Sequence, residues 1–125
     1  MSLRTPLARA RGLGAAHGGT HHWWMQRLTS IALVPLVIWF AVAMVALAGA
    51  DYATAAAWLA RPFNAVLTLI LIVTLFHHMQ LGLQVVIEDY VHSRGRKFAT
   101  LIVVKFIAVM LAVGAAFAVL KVAVG

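Results

Sequence analysis

The residues best suited to chemistry lie in one apolar stretch of the chain, residues 63–90. This stretch contains His78 and Gly82 and ends in Asp89 and Tyr90. At 100° per residue on an α-helix, His78 and Asp89 lie about 20° apart in azimuth and roughly 16 Å apart along the axis, with Gly82 on the same stripe. Polar groups in such a helix are costly and usually face a cavity, a cofactor or a partner helix.

His78 is the side chain on this stripe with the clearest cofactor chemistry. A neutral imidazole is a common axial ligand of haem iron, and Gly82, one turn away, leaves room for a flat ring. A histidine that hydrogen-bonds a neighbouring helix is the alternative, and the pattern alone leaves both open. If His78 binds iron, we expect its other ring nitrogen to donate to the carbonyl or hydroxyl of Thr74, because a metal-bound histidine usually has such an acceptor.

Other metal and redox chemistries match the sequence less well. His77 lies about 100° from His78 on a helix, so one face cannot present both imidazoles to zinc. The chain contains no cysteine, which excludes disulfides, a thiolate nucleophile and cysteine-ligated zinc or iron–sulfur clusters. It also lacks a Gly-rich dinucleotide fingerprint, so we do not expect it to bind flavin in the usual way.

A second polar group precedes the first apolar run and comprises His21, His22, Trp23, Trp24 and Arg27. Tryptophans in this position are typical interfacial anchors, and an arginine here is an ordinary topology signal. The two histidines are explained equally well as neighbours of lipid headgroups. Taken alone, the group indicates a membrane boundary more than a binding site.

Three apolar runs must position these groups, at residues 28–50, 63–88 and 98–120. Each run is long enough to cross a hydrocarbon core of about 30 Å as a helix, and three segments cannot close a barrel. Of the 125 residues, 64% are hydrophobic and 10% are charged, which matches neither a soluble domain nor a disordered chain. The sequence therefore predicts an all-α membrane protein with an N-terminal segment at 1–26 and a three-helix transmembrane domain at 27–125.

The distribution of basic residues predicts the orientation. Ten Lys and Arg residues against three acids give a net charge of +7. Four arginines precede the first run and three basic residues lie in the loop at 89–97, whereas the loop at 51–62 and the C-terminus carry one each. This asymmetry predicts an N-terminus on the cytoplasmic or matrix side, and Lys105 is expected to extend back to that surface. A nucleic-acid interface would need a basic face on a soluble domain, which this sequence lacks.

Three features resemble a known family in their order along the chain. The tetrapeptide Arg27–Ser30 opens the first span, His78 follows in the second, and the run QVVIEDYV occupies residues 84–91. Together they resemble the hydrophobic membrane anchor of succinate dehydrogenase (respiratory complex II), over nearly the whole chain.

The resemblance implies specific roles for five residues. His78 would be one axial ligand of a haem b, with the second supplied by a companion membrane anchor in the same complex. Asp89 and Tyr90 would line the ubiquinone site, and Arg27 and His21 would lie near the haem propionates. The chain would belong to a heteromeric helix bundle in a bacterial or mitochondrial inner membrane, with its N-terminus inside.

The resemblance also implies the division of labour within the complex. A flavoprotein subunit oxidises succinate, an iron–sulfur subunit passes the electrons on, and this chain anchors both in the bilayer without a complete catalytic centre of its own. Three alternatives remain open from the residues: the anchor of a quinol:fumarate reductase, a small haem b membrane cytochrome that shares ligands, and a transporter or scaffold that uses Glu88 or Asp89 as a proton-coupled site.

Overall fold

The computed structural model describes residues 17–125, and this part of the chain forms helices without any strand. The helices are α1 (His17–Leu47), α2 (Tyr52–Ala60), α3 (Pro62–Tyr90) and α4 (Arg94–Val124). All but α2 are long and apolar enough to cross a membrane, which confirms the prediction of an all-α protein with three spanning helices. The predicted segment at 1–26 lies partly outside the described residues, and its three arginines are all in the part that is not described.

The connection between the first two spans is largely helical, where the sequence predicted a loop. Gly49 has a φ of 81° and turns the chain after α1, a conformation that favours glycine. The Asp51 carboxylate then caps α2 by accepting the Thr54 N–H at 2.9 Å. Hydrogen bonds from Thr54 lower the pKa of Asp51. The cap is therefore present above that lowered pKa and is lost as the pH falls through it.

Helix α3 is the centre of the bundle, because it packs against both α1 and α4. The buried residues of the described chain are half apolar and half polar: Leu71, Leu81, Ile87 and Ala108, with Thr29, Asn64, Thr68 and Gln80. Most large apolar side chains instead point outward and are exposed. Such a surface suits lipid tails and the helices of other membrane subunits.

Two aromatic pairs mark the boundaries of the hydrocarbon core along α1. Trp23 and Trp24 meet edge to face at one end, and Trp39 of α1 stacks on Trp58 of α2 near the other, with ring centroids 5.6 Å apart. The 16 residues from Trp23 to Trp39 rise roughly 24 Å, which fits a membrane with aromatic belts at both interfaces.

The ends of α3 and α4 that are joined by residues 91–93 extend beyond that core. The 29 residues of α3 rise roughly 43 Å, whereas the hydrocarbon measures about 30 Å. His22 lies next to Trp23, and its Nε2 is 3.3 Å from the Leu81 carbonyl, so the belt at Trp23 and Trp24 crosses α3 near Leu81. The remainder of α3 as far as Tyr90, and the start of α4, therefore project past the tryptophan belt.

A candidate haem and quinone site

His78 is held by a hydrogen bond from the first helix. Its Nδ1 lies 2.9 Å from the hydroxyl oxygen of Thr29, and Thr29 is only 7% exposed. The Thr29 hydroxyl donates to the Met25 carbonyl at 2.7 Å. Because that proton is already committed, the Thr29 oxygen accepts from Nδ1–H of His78. This tautomer leaves the lone pair of Nε2 free.

The prediction that Thr74 accepts a hydrogen bond from the His78 ring is wrong. The Thr74 carbonyl already accepts the backbone N–H of His78 within α3, and the imidazole extends across to Thr29 of α1 instead. The expectation of an acceptor at the second ring nitrogen holds, but the acceptor lies on another helix. It therefore fixes the ring relative to the bundle as well as to its own helix.

The face around His78 is open to a further ligand. No described residue hydrogen-bonds to its Nε2, which is not enclosed by the chain. A Cβ built on Gly82 would meet no atom within 4 Å, so the space above this glycine is free. An oriented imidazole beside an open surface fits the axial coordination of a flat macrocycle.

His77 faces a different side of α3. Its Nε2 is buried and has no hydrogen-bond partner among the described residues, and the ring lies in a groove between α3 and α4 with Gln80 and Lys105. The two adjacent histidines therefore point toward different neighbours, as the 100° rotation predicts. Of these two residues, only His78 combines an oriented ring with an open nitrogen.

The N-terminal boundary residues have unequal roles. His22 is half-buried and contacts the Leu81 carbonyl of α3, whereas His21 is exposed. The Arg27 guanidinium lies over the Trp23 ring, 5.2 Å from its centroid. The interhelical contact of His22 is a feature that the sequence did not single out, because adjacent histidines carry no signal of which one faces the bundle.

Asp89 and Tyr90 end α3 in exposed positions. Tyr90 is 77% exposed and borders an open cavity of about 530 Å³ that is also lined by His92 and Arg96. Asp89 does not line this cavity and forms no hydrogen bond or ion pair with a described residue. Here sequence reasoning missed His92 and Arg96, which follow Tyr90 at the turn into α4.

Arg27 is not brought together with Asp89. The contacts of His22 with Leu81 and of Thr29 with His78 place Arg27 beside residues 78–81 of α3. Asp89 is nine residues further along α3 than Gln80, which corresponds to roughly 13 Å. The structure thus has two levels along α3: His78 and Arg27 lie together near the Trp23 end of α1, and Asp89 and Tyr90 lie further along, at the end of α3.

These features define a multi-pass membrane protein whose spanning helices leave most of their large apolar side chains exposed. Residues 1–112 match the family described as succinate dehydrogenase/fumarate reductase transmembrane subunit. The chain is 34% identical over 108 residues to the succinate dehydrogenase hydrophobic membrane anchor subunit of Rickettsia bellii, with 86% of each chain covered. It is 32% identical over 106 residues to the protein of that name from Paracoccus denitrificans, covering 85% of this chain and 82% of the relative.

A relative from Reclinomonas americana, a succinate dehydrogenase membrane anchor subunit, is 34% identical over 95 residues, covering 73% of this chain and 78% of its own. The chain belongs to the succinate dehydrogenase/fumarate reductase transmembrane subunit family. This confirms the resemblance noted in the sequence. The chain is a membrane anchor subunit of an oxidoreductase complex and is not a complete catalytic unit.

Proposed function

We propose that this subunit supplies His78 as one axial ligand of a haem b shared with a companion membrane anchor. The observation that carries the proposal is the hydrogen bond that fixes Nδ1 of His78 on Thr29 and leaves Nε2 free. A histidine that served only to join two helices would need no open surface beside it. Here the surface is open at Gly82, where an added Cβ meets nothing within 4 Å.

The haem, when bound, supplies a one-electron redox centre whose potential the protein tunes. The residues of this chain would hold and orient it. His78 presents Nε2, and Thr29 prevents the ring from rotating. Arg27 and His21, both exposed, are the candidates for binding the propionate carboxylates. At the inner boundary the propionates would meet water and side chains of opposite charge. Arg27 already rests on Trp23, which limits its rotamers.

The second part of the proposal concerns ubiquinone at the inner end of α3. Tyr90 carries a phenolic donor suited to a quinone carbonyl, and its exposure leaves that donor accessible. Reduction of a quinone consumes two protons, so the site needs contact with water, which a position beyond the hydrocarbon core provides. Asp89 would orient a donor or relay protons, because a carboxylate against the quinone would repel developing negative charge.

The projecting ends of α3 and α4 support an attachment to soluble partners. Their outer surfaces combine exposed apolar side chains such as Val86 and Phe98 with the basic residues Arg94 and Arg96. We propose the iron–sulfur subunit as the partner at this end, with the flavoprotein subunit attached through it. Electrons from succinate would then reach the quinone where the iron–sulfur subunit meets Tyr90.

The haem proposal is tested by the visible spectrum of the purified complex. A b-type band is expected, together with co-purifying flavoprotein. Thr29→Val removes the acceptor for Nδ1 with little change in volume, so haem affinity is expected to fall roughly 10–100-fold, whereas Thr29→Ser retains it. Thr68→Val is the matched control, because the Thr68 hydroxyl is also buried but donates only to the Asn64 carbonyl. Equal spectra for Thr29→Val and Thr68→Val would contradict an orienting role.

The orientation stays a prediction from the basic residues. With the N-terminus inside, three spans leave the C-terminus outside, in a bacterial inner membrane or, for an organellar protein, the mitochondrial one. Reporters fused at Gly125 and in the loop at 51–62 are expected to report the outer side. An inner location for either would invert the placement of Asp89 and Tyr90, and the proposed attachment of soluble subunits would fail with it.

The physiological direction has one competing candidate, because the matched family includes fumarate reductase subunits. The chemistry of the anchor is the same in both directions, since a quinone site reduces or oxidises its ligand according to the potentials of its partners. Assays of the purified complex for succinate:quinone and quinol:fumarate activity separate the two.

A further inference from the structure

A groove between α3 and α4 belongs neither to the His78 surface nor to the Tyr90 cavity. It has a volume of about 380 Å³ and is lined at one end by His77, Gln80 and Lys105. Toward the other end its walls are apolar, with the small side chains of Ala108 and Ala112 on α4. The groove thus changes from polar to apolar along the helix axes.

The polar end contains nitrogen atoms without partners. Nε2 of His77 is buried and unbonded among the described residues, and no described residue hydrogen-bonds to the Gln80 amide or pairs with the Lys105 ammonium. The acids of the chain are Asp51, Glu88 and Asp89, and none of them lines the groove. An unpaired cation beside two potential N–H donors is complementary to an anion.

The polar end lies at the inner boundary of the hydrocarbon core. Lys105 shares the groove with His77 and Gln80, and the contact between Thr29 and His78 aligns the same part of α3 with the start of the first span. Lys105 therefore lies close to the level of Arg27, on the opposite side of α3. Lys105 lies some 16 Å along α4 from Arg94, and the interfacial tryptophans Trp23 and Trp24 beside this part of α3 indicate a level close to the lipid headgroups.

The apolar part of the groove extends from this level into the core. Ala112 lies seven residues beyond Lys105, roughly 10 Å deeper, and no charged residue follows on α4 until Lys121. A molecule that fills the whole groove must therefore be anionic at the headgroup level and apolar below it. Phospholipids with an anionic headgroup have this form and are present at that level in the bilayer.

We propose that the groove between α3 and α4 is a binding site for one anionic phospholipid. Its phosphate is held by Lys105, with His77 and Gln80 as N–H donors, and an acyl chain lies over Ala108 and Ala112. The site accounts for a lysine and a buried imidazole on a face that has no acidic partner. It is independent of haem, because His78 points to α1.

The test is a titration of the detergent-purified, delipidated complex with dioleoyl phosphatidylglycerol, followed by native mass spectrometry. Lys105→Gln is expected to weaken binding of the most tightly held phosphatidylglycerol roughly fivefold, and Lys105→Arg is expected to preserve it. Lys121→Gln is the matched control, since it removes the same charge from the other end of α4, outside the groove. Phosphatidylcholine, which has no net charge, is expected to bind equally to all of these variants.

A second variant addresses the apolar half. Ala112→Phe fills the groove without changing its charge and is expected to displace the same phosphatidylglycerol. Glycerol phosphate, which has the headgroup chemistry without acyl chains, is not expected to compete. Identical titrations for Lys105→Gln and Lys121→Gln would overturn the proposal. It would also be overturned if the Lys105→Gln complex lost the companion anchor and not the lipid. The b-type band is expected to persist in both groove variants, so failure here is separable from failure of the haem proposal.

Discussion

Replacement of His78 by alanine is expected to abolish or strongly shift the b-type absorption of the purified complex. The variant removes the Nε2 atom that is proposed to bind iron, and the adjacent His77 has its Nε2 buried on another face of α3. Folding is expected to survive, because the Thr29 hydroxyl retains its bond to the Met25 carbonyl and loses only an acceptor interaction worth about 1 kcal/mol. The measurement is the reduced-minus-oxidised spectrum per mole of flavin.

His77→Ala is the matched control for this prediction. It removes the same side chain one residue away, but from the face toward α4, so the b-type spectrum is expected to remain largely intact. The opposite pattern, with loss of haem in His77→Ala alone, would show that the iron ligand has been assigned one residue out of register. Partial retention of haem in His78→Ala is compatible with the proposal, because the companion anchor is expected to supply the second ligand.

The sequence was sufficient to predict the elements that depend on local composition. Three runs with almost no charge specify three spanning helices because each charged side chain in hydrocarbon is costly. The rotation of 100° per residue correctly separated the faces of His77 and His78. Even the helical connection α2 had a local signal, since Asp51 precedes Thr54 by three residues in the pattern of an N-cap. This segment was predicted as a loop because it is the short stretch between the first two apolar runs.

The contacts between helices were not predictable in the same way. The partner of His78 is Thr29, 49 residues away in the sequence, and this pairing depends on how far α1 is shifted along α3. Hydrophobic patterning fixes which face of a helix is buried but only weakly fixes such a shift in a uniformly apolar helix. The same reason applies to His22 and Leu81. It applies equally to Lys105. The sequence predicted only that its side chain extends back to the inner surface, and not which residues of α3 lie beside it.

The two proposed centres lie at different levels along α3, and this separation bears on function. His78 lies near the level of the tryptophans at the start of α1, and Tyr90 lies 12 residues further along α3, roughly 18 Å. Both proposed centres are therefore in the half of the subunit that contains the start of α1, which the basic residues predict to be the inner half. A quinone at Tyr90 would meet water and the soluble subunits first, and the haem would lie on its membrane side.

Tyr90→Phe is expected to depress ubiquinone reduction by the complex roughly tenfold, the effect of one lost hydrogen bond to a developing charge. Succinate oxidation with a soluble dye and assembly of the complex are expected to stay nearly unchanged, because the exposed hydroxyl forms no hydrogen bond with a described residue. Tyr52→Phe is the matched control. Tyr52 is the other tyrosine of the chain and is also 77% exposed, but it lies at the outer end, at the start of α2.

Asp89→Asn is expected to act on the same step through proton delivery. It keeps the size of the side chain and removes the charge, and Asp89 has no described partner whose loss would unfold the helix end. If Asp89 orients a donor or relays protons, quinone reduction falls and dye reduction does not, as for Tyr90→Phe. Because both residues would serve one quinone, the double variant is expected to lose less than the product of the two single effects. Normal quinone turnover in both single variants would mean that this helix end is only a membrane boundary. The quinone pocket would then belong to the partner subunits.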